Sequence, residues 1–117
     1  MNCYLIDDDP HAIKLLEEYL SRMENFKVIG SNLNAKKALS EIWEFNNIDI
    51  VFTDIYMPEL SGFDVIDQLP ESTRAIVTTV NSKYIQTAKE KNVAGFLLKP
   101  FGFENFQKVV LKISAGK

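Results

Sequence analysis

The stretch "IDIVFTDIYMPELSG" (residues 48–62) has an apolar middle that ends at an acid and then breaks into a loop. Its first part, 48–55, predicts a strand covered on both faces, because its middle is mostly apolar. Pro58 and Gly62 predict that a loop follows. A strand of this kind belongs in a sheet that lies between two layers of helices, with Asp54 near its carboxyl end.

Four other short apolar runs have a similar character, and segments with helical spacing of apolar residues separate them. The predicted strands are 3–6, 26–30, 48–55, 74–79 and 95–98, and the predicted helices are 10–23, 35–45, 63–69, 83–92 and 103–113. Pro10 suits the first turn of a helix, and Asn34 suits a helix cap. Alternating strands and helices demand parallel pairing and right-handed crossovers. The predicted fold class is therefore α/β, a doubly wound parallel sheet of five strands.

The composition is that of one globular domain. The chain has 117 residues, 46% hydrophobic and 25% charged, with a formal net charge of −3. This charge offers no basic field for nucleic acid, and no apolar stretch approaches the roughly 20 residues of a membrane helix. Cys3 is the single cysteine, and the start "MNCYLIDDDP" lacks a signal-peptide pattern. We expect one soluble, cytoplasmic domain over residues 1–117, with a flexible tail at 114–117 and with no binding to nucleic acid or membranes.

Residues that carry chemistry follow four of the five predicted strands. They are Asp7, Asp8 and Asp9 after the first strand, Asp54 in the third, Thr78 and Thr79 in the fourth, and Lys99 after the fifth. The second strand leads only to Gly30 and Ser31. Ligands of open α/β sheets bind outside the carboxyl ends of the strands, so we expect these side chains to form one site.

The residue types at this edge favour phosphoryl chemistry with a metal ion. Carboxylates from two strands make an oxygen-only site that suits Mg²⁺. A hydroxyl and an ammonium opposite them would bind phosphoryl oxygens. Asp54, on the middle strand, would be the nucleophile, because aspartate can form an acyl phosphate.

The same residues also have simpler interpretations. Three consecutive acids before a helix can be a solvated cap. Asp49 lies at the other end of its strand and is expected to be a surface acid, as His11 is expected to be a surface histidine. Thr78 should face away from Thr79, because side chains alternate along a strand. Tyr84 is either an exposed contact residue or cover for the fourth helix.

Four motifs together resemble the receiver domain of two-component response regulators, along essentially the whole chain. They are "LIDDDP" (5–10), "VFTDIYMPELSGF" (51–63), "IVTTV" (76–80) and "FLLKPF" (96–101). The resemblance implies a flavodoxin-like (βα)5 fold with strand order 2-1-3-4-5. The acidic opening, the "TTV" stretch and Tyr84 are most similar to receivers attached to LytTR-type DNA-binding domains.

The resemblance also implies roles for individual residues. It makes Asp54 the phosphoacceptor and Asp7 and Asp8 the acidic pair that binds Mg²⁺, with Asp8 the more direct ligand and Asp9 outside the first shell. Tyr56 would lend its backbone carbonyl to the metal.

The remaining family positions fall on the last two strands. Thr79 matches the switch hydroxyl, Phe96 the switch aromatic residue and Lys99 the family's lysine, with a cis peptide before Pro100. Val80 departs from the small residue usual after the threonine, and we expect it to slow phosphate entry or hydrolysis.

The implied function is a phosphorylation-dependent switch rather than an enzyme, although the domain would assist its own phosphotransfer and dephosphorylation. A sensor histidine kinase would phosphorylate Asp54 with Mg²⁺. The surface of helix 83–92, strand 95–98 and helix 103–113 would then change and regulate an output domain, which this chain lacks, or a partner protein. A homodimer through that surface is a further expectation, supported locally by Val109 and Leu111.

One alternative function is an aspartyl-phosphate hydrolase of the haloacid dehalogenase type, whose nucleophile lies in a D-x-D-x-T pattern. Asp7 and Asp9 imitate D-x-D, but His11 stands where threonine is needed. A flavodoxin-like electron carrier would share the topology, but the acidic edge would repel a flavin phosphate. The sequence therefore favours the switch.

Overall fold

The computed structural model describes residues 1–115, with the side chains of 114 and 115 left aside, and it contains five strands and five α-helices. The strands are β1 (Asn2–Ile6), β2 (Lys27–Asn32), β3 (Ile50–Asp54), β4 (Arg74–Thr79) and β5 (Gly95–Leu98). The helices are α1 (Pro10–Ser21), α2 (Ala35–Phe45), α3 (Gly62–Asp67), α4 (Ile85–Glu90) and α5 (Phe103–Ala115), with a 3₁₀ helix at Ser82–Tyr84. Of the tail predicted at 114–117, residues 114 and 115 belong to α5 instead, and residues 116 and 117 lie outside the described residues.

The strands form a single parallel sheet in the order β2-β1-β3-β4-β5, as the resemblance implied. The chain winds outward in one direction from β1 to β2 and in the other from β3 to β5, so the order reverses between β1 and β3. In the register, Ile6 lies opposite Thr53, Asp54 opposite Thr78, and Thr79 opposite Leu98. The carboxyl ends of β1, β3, β4 and β5 are therefore level, and their loops meet above one edge.

Three strands differ from the prediction: β1 begins one residue earlier, at Asn2, and β2 and β3 also have other bounds. We expected β2 to end at Gly30, but it continues to Asn32. Gly30 lies inside the strand because pairing with β1 continues through Asn32, and a Cβ at Gly30 would come within 3.0 Å of the Tyr4 ring. The third strand is shorter than predicted, Ile50–Asp54, and Asp49 is half-buried rather than a surface acid, since its carboxylate accepts a hydrogen bond from the Asn2 amide at 2.7 Å.

Local sequence signals set the starts of three helices. Asp9 caps α1, with its side chain accepting from the His11 amide and Pro10 in the first turn. Asn34 caps α2 as predicted. Ser61 and Asp64 form a reciprocal capping box at the start of α3. Of these caps, those of α1 and α3 end the loops that follow Asp7 and Asp54.

The core is divided between the two faces of the sheet. One cluster lies under α1 and α5 and includes Phe52, Phe106 and Val110, and the other lies under α2 and α3 and includes Val51 and Val65. Among the described residues, no helix is both long and apolar enough to cross a membrane.

The local support for a homodimer is weaker than predicted. Val109 is half-buried against the core, and a Cβ at Gly95 would come within 2.6 Å of its side chain, so it belongs to the packing of α5 on β5. Leu111 remains on the surface with 49% exposure. Dimerisation stays a prediction, and of the two residues expected to support it only Leu111 is exposed.

Candidate functional site

Three carboxylates come together at the carboxyl edge of the sheet. Asp7 follows β1 and is fully buried, Asp54 ends β3 and is half-buried, and Asp8 is exposed. One carboxylate oxygen from each lies within 4.8 Å of the others, an arrangement that could hold a metal ion. Hard oxygen ligands from few protein carboxylates match the preference of Mg²⁺, so the residues present fit the predicted ion.

Lys99 joins two of these acids. Its Nζ lies 2.7 Å from Asp7 Oδ2 and 3.3 Å from Asp54 Oδ2. The backbone fixes the approach of the side chain, because the Lys99 amide donates to the carbonyl of Thr79 at 2.7 Å and the peptide to Pro100 is cis, as expected. The lysine therefore reaches across β4 to the acids of β1 and β3.

The electrostatics of the pair follow from burial and proximity. Burial raises the pKa of the Asp7 carboxyl, although hydrogen bonds from Lys99 and from the Asp9 amide act in the opposite direction. For Lys99, burial disfavours the charged form, but the hydrogen bond to Asp7 and the charges of Asp54 and Asp7 outweigh it, so the pKa of the ammonium is raised. Lys99 is thus held as a cation between two acids.

Asp54 is held by its own loop. Its Oδ1 accepts from the Ile55 amide at 2.7 Å, and its carbonyl accepts from the Thr53 hydroxyl at 2.9 Å. The loop then folds back so closely that a Cβ at Gly62 would lie 2.1 Å from the Asp54 carbonyl oxygen. Glycine is required there by the approach of backbone to backbone, since its φ is not positive.

The other predicted site residues surround this centre. Thr79 is buried, and its hydroxyl accepts from the Asn81 amide at 3.3 Å. The Tyr56 side chain is 77% exposed, which leaves its backbone as the part that could serve the site. Phe96 is half-buried at the end of the sheet. These positions agree with the predicted roles, which stay predictions.

Beside Lys99 lies an open cavity of about 350 Å³ between α1 and the loops after β4 and β5. Thr78 lines it from the α1 side of the sheet, in line with the predicted alternation with Thr79. Val80 borders the same cavity and is 76% exposed. That Val80 slows phosphate entry or hydrolysis stays a prediction.

Asp9 and His11 lie outside the carboxylate centre. The Asp9 side chain caps α1 and is exposed, so the cap interpretation of the acidic run is correct for this one residue. His11 is exposed in the first turn, as predicted.

Sequence reasoning missed Asn81. Its amide contacts the Thr79 hydroxyl, and its side chain accepts from the Lys83 amide and caps the 3₁₀ helix. An asparagine immediately before a helical start was the available signal.

The family comparisons agree with the fold and with this arrangement. The model of the response regulator receiver domain matches residues 3–111. The chain is 35% identical over 115 residues to an uncharacterized response regulatory protein of Vibrio cholerae, an alignment that covers 97% of this chain and 48% of the relative. It is 30% identical over 120 residues to the transcriptional regulatory protein LytR of Staphylococcus aureus, covering 100% of this chain and 48% of that protein.

A solved structure shows the same fold. The isolated receiver domain of RcsB from Salmonella enterica, determined in the presence of the phosphomimetic BeF3−, superposes with a TM-score of 0.90 at 22% identity, covering 100% of this chain and 90% of that chain. The family match over residues 3–111 shows that this chain belongs to the response regulator receiver domain family. It spans about half the length of the curated relatives it matches. The presence of LytR among these relatives agrees with the predicted resemblance to LytTR-associated receivers.

Proposed function

We propose that the chain is a phosphorylation switch in which Asp54 accepts a phosphoryl group from the phosphohistidine of a sensor histidine kinase. The observation that carries the proposal is the convergence on Asp54 of Asp7 and Asp8, from the loop after β1, and of Lys99, from the loop after β5. Receiver domains act in two-component signalling with histidine kinases and output domains, and the relative LytR is named a transcriptional regulatory protein.

In the proposed transfer, a carboxylate oxygen of Asp54 forms a bond to phosphorus while the bond from phosphorus to the imidazole nitrogen breaks. The imidazole leaves with the electron pair of that bond. Lys99, already 3.3 Å from Asp54, provides positive charge for the phosphoryl oxygens. A Mg²⁺ ion bound by Asp7, Asp8, Asp54 and the Tyr56 carbonyl would add charge neutralisation.

After transfer, Thr79 and Phe96 are the proposed switch residues. The buried Thr79 hydroxyl would donate to a phosphoryl oxygen, a charge-assisted bond that exists only in the phosphorylated state. Phe96 would then turn inward, and the surface of α4, β5 and α5 would present a different shape to an output domain or partner. We also propose that residues 1–117 act as one receiver domain.

The hydrolase alternative gains no support. It requires a second aspartate two positions after the nucleophile, but the Asp9 side chain is used as the α1 cap. Asp7, its nucleophile, is fully buried and bonded to Lys99.

The first test is intact mass after incubation with acetyl phosphate, with and without Mg²⁺. We expect wild-type protein to gain one phosphoryl adduct that requires the metal. Asp54→Ala should gain none, and Asp8→Asn should gain little because it removes a proposed metal ligand.

Asp49→Asn is the matched control, since it changes an acid next to the other end of β3. It should be phosphorylated like wild type. An adduct that persists in Asp54→Ala, or that forms equally well after the metal is chelated, would contradict the proposed site.

A further inference from the structure

The sheet holds α4 with few contacts. In the segment from the 3₁₀ helix to the end of α4, Ala88 is the one fully buried residue, and the others are half-buried or exposed. By contrast, α5 buries three large side chains, Phe106, Val110 and Ile113. Something other than the apolar core must therefore fix the position of α4.

Four side chains that join α3 to α4 have this role, and we name them the α3–α4 clasp. They are Phe63 and Asp67 on α3, and Tyr84 and Lys91 at the two ends of α4. The Phe63 and Tyr84 rings meet edge to face with centroids 5.9 Å apart. Lys91 Nζ lies 2.9 and 3.0 Å from the two carboxylate oxygens of Asp67 and 5.8 Å from the Phe63 ring centroid. The clasp thus holds α4 at both ends.

A short chain of contacts connects the clasp to the candidate site. The Thr79 hydroxyl accepts from the Asn81 amide, and the Asn81 side chain caps the 3₁₀ helix that ends at Tyr84. In addition, Phe63 and Tyr84 line a cavity of about 280 Å³ together with Tyr56, two residues after Asp54. A change at the Thr79 hydroxyl therefore reaches Tyr84 within five residues of chain.

We propose that the α3–α4 clasp holds α4 in its unphosphorylated position and that switching at Asp54 must open it. The inference rests on the proposed function and adds its regulation. When the Thr79 hydroxyl turns toward a phosphoryl group, the Asn81 amide loses its acceptor. The 3₁₀ helix that Asn81 caps is then free to move, and the clasp at Tyr84 opposes this movement. Because the two equilibria are coupled, weakening the clasp must strengthen binding of a phosphoryl mimic.

The test is titration of the purified chain with beryllofluoride in the presence of Mg²⁺, followed by calorimetry. Asp67→Lys should open the clasp, because it replaces an ion pair with two like charges. We expect the affinity for beryllofluoride to rise by about twofold to fivefold, the range that a partly exposed ion pair can contribute. The swapped variant Asp67→Lys/Lys91→Asp restores the pair and should return the affinity to the wild-type value.

Two controls separate the clasp from other effects. Glu24→Lys makes the same reversal of charge at an exposed acid in the loop between α1 and β2, away from the clasp, and should leave the affinity unchanged. Asp54→Ala should abolish binding. A clasp with only a structural role would leave the affinity unchanged or, through partial unfolding of the variant, lower it.

The outcomes separate the two proposals. No binding to wild type would overturn the proposed function together with the inference that depends on it. Binding that is the same in wild type and in Asp67→Lys, or that rises equally in Glu24→Lys, would overturn the clasp alone. A rise in Asp67→Lys that the swap reverses would support it.

Discussion

The two faces of the sheet are packed in different ways. On the α1 and α5 side, the buried Phe106 ring lies 5.3 Å from Tyr19 and 5.8 Å from Phe52, centroid to centroid, within a group of stacked aromatic rings. On the other side, α4 has six residues and buries Ala88, and α3 joins it through the clasp. The first face is held by apolar burial, which is non-directional and large. The second face has the same kind of core under α2 and α3, but its α4 segment depends on a few contacts between side chains that are only partly buried.

This difference indicates where the domain can move. Segments with few buried apolar contacts open at a low free-energy cost, and moving elements are drawn from them. The candidate site lies between the two faces: its acids and lysine follow β1, β3 and β5, whereas Thr79 leads directly into the weakly held segment. A phosphorylation switch needs such a junction between a fixed site and a movable surface.

The largest expected effect tests the packed face. Phe106→Ala should lower the free energy of unfolding by about 3–5 kcal/mol, because it leaves a cavity among buried rings. Urea unfolding would measure the loss. The half-buried Ile85 of α4 is the comparison, and Ile85→Ala should cost about 1 kcal/mol. Equal losses at the two positions would break the contrast between the faces.

The second prediction concerns the first residue of α3, which packs closely against the end of β3. Gly62→Ala would place a Cβ 2.1 Å from the Asp54 carbonyl oxygen, so backbone must shift, and we expect a loss of about 1–3 kcal/mol in the free energy of unfolding. Gly102→Ala is the matched control, since a Cβ there meets nothing within 4 Å. If thermal unfolding shows both variants to be as stable as wild type, the close approach at α3 does not constrain the loop.

The smallest expected effect concerns the pH dependence of stability at the junction. The pKa of Asp7 is raised by burial, so without metal the folded state holds its proton more tightly than the unfolded state. Stability must then fall as the pH rises from the ordinary aspartate pKa of about 3.9 through the raised value. The raised pKa of Lys99 adds nothing in this window, because its contribution is fully present below the ordinary lysine value.

Asp7→Asn removes this titration. Its stability relative to wild type should therefore increase with pH across the window, by about 1.4 kcal/mol for each unit of pKa shift. Urea unfolding in metal-free buffer at several pH values would measure the difference. Parallel pH profiles for the two proteins would show that burial does not penalise the Asp7 carboxylate.

Much of the fold was predictable from local pattern. The bounds of α2, β4 and β5 are those predicted, because caps, turns and apolar runs coincide there. The prediction was wrong for the end of β2, because Gly30 indicated an end but the pairing with β1 continues to Asn32. It was also too simple for 83–92, which is divided into a 3₁₀ turn and a short helix because few apolar residues hold it to the sheet.

The grouping of Asp7, Asp8, Asp54 and Lys99 was predictable because parallel strands bring their carboxyl ends to one edge. The different environments of the three consecutive acids were harder to predict from the sequence. Strand and helix geometry directs Asp7 inward to Lys99, leaves Asp8 exposed and uses Asp9 as a cap. Adjacent identical residues carry no pattern that separates such environments, and the family resemblance assigned only part of the difference.

The sequence by itself determined the alternation of strands and helices, and with it the parallel sheet and the edge where the chemistry collects. These features depend on periodicity and on chain connectivity, both of which are local in the sequence. Only the tertiary structure decided which polar groups are buried, which partner Lys99 takes and how α4 is attached to α3. Those contacts join residues 24 to 92 positions apart, so their energies depend on how the helices pack on the sheet rather than on any local pattern.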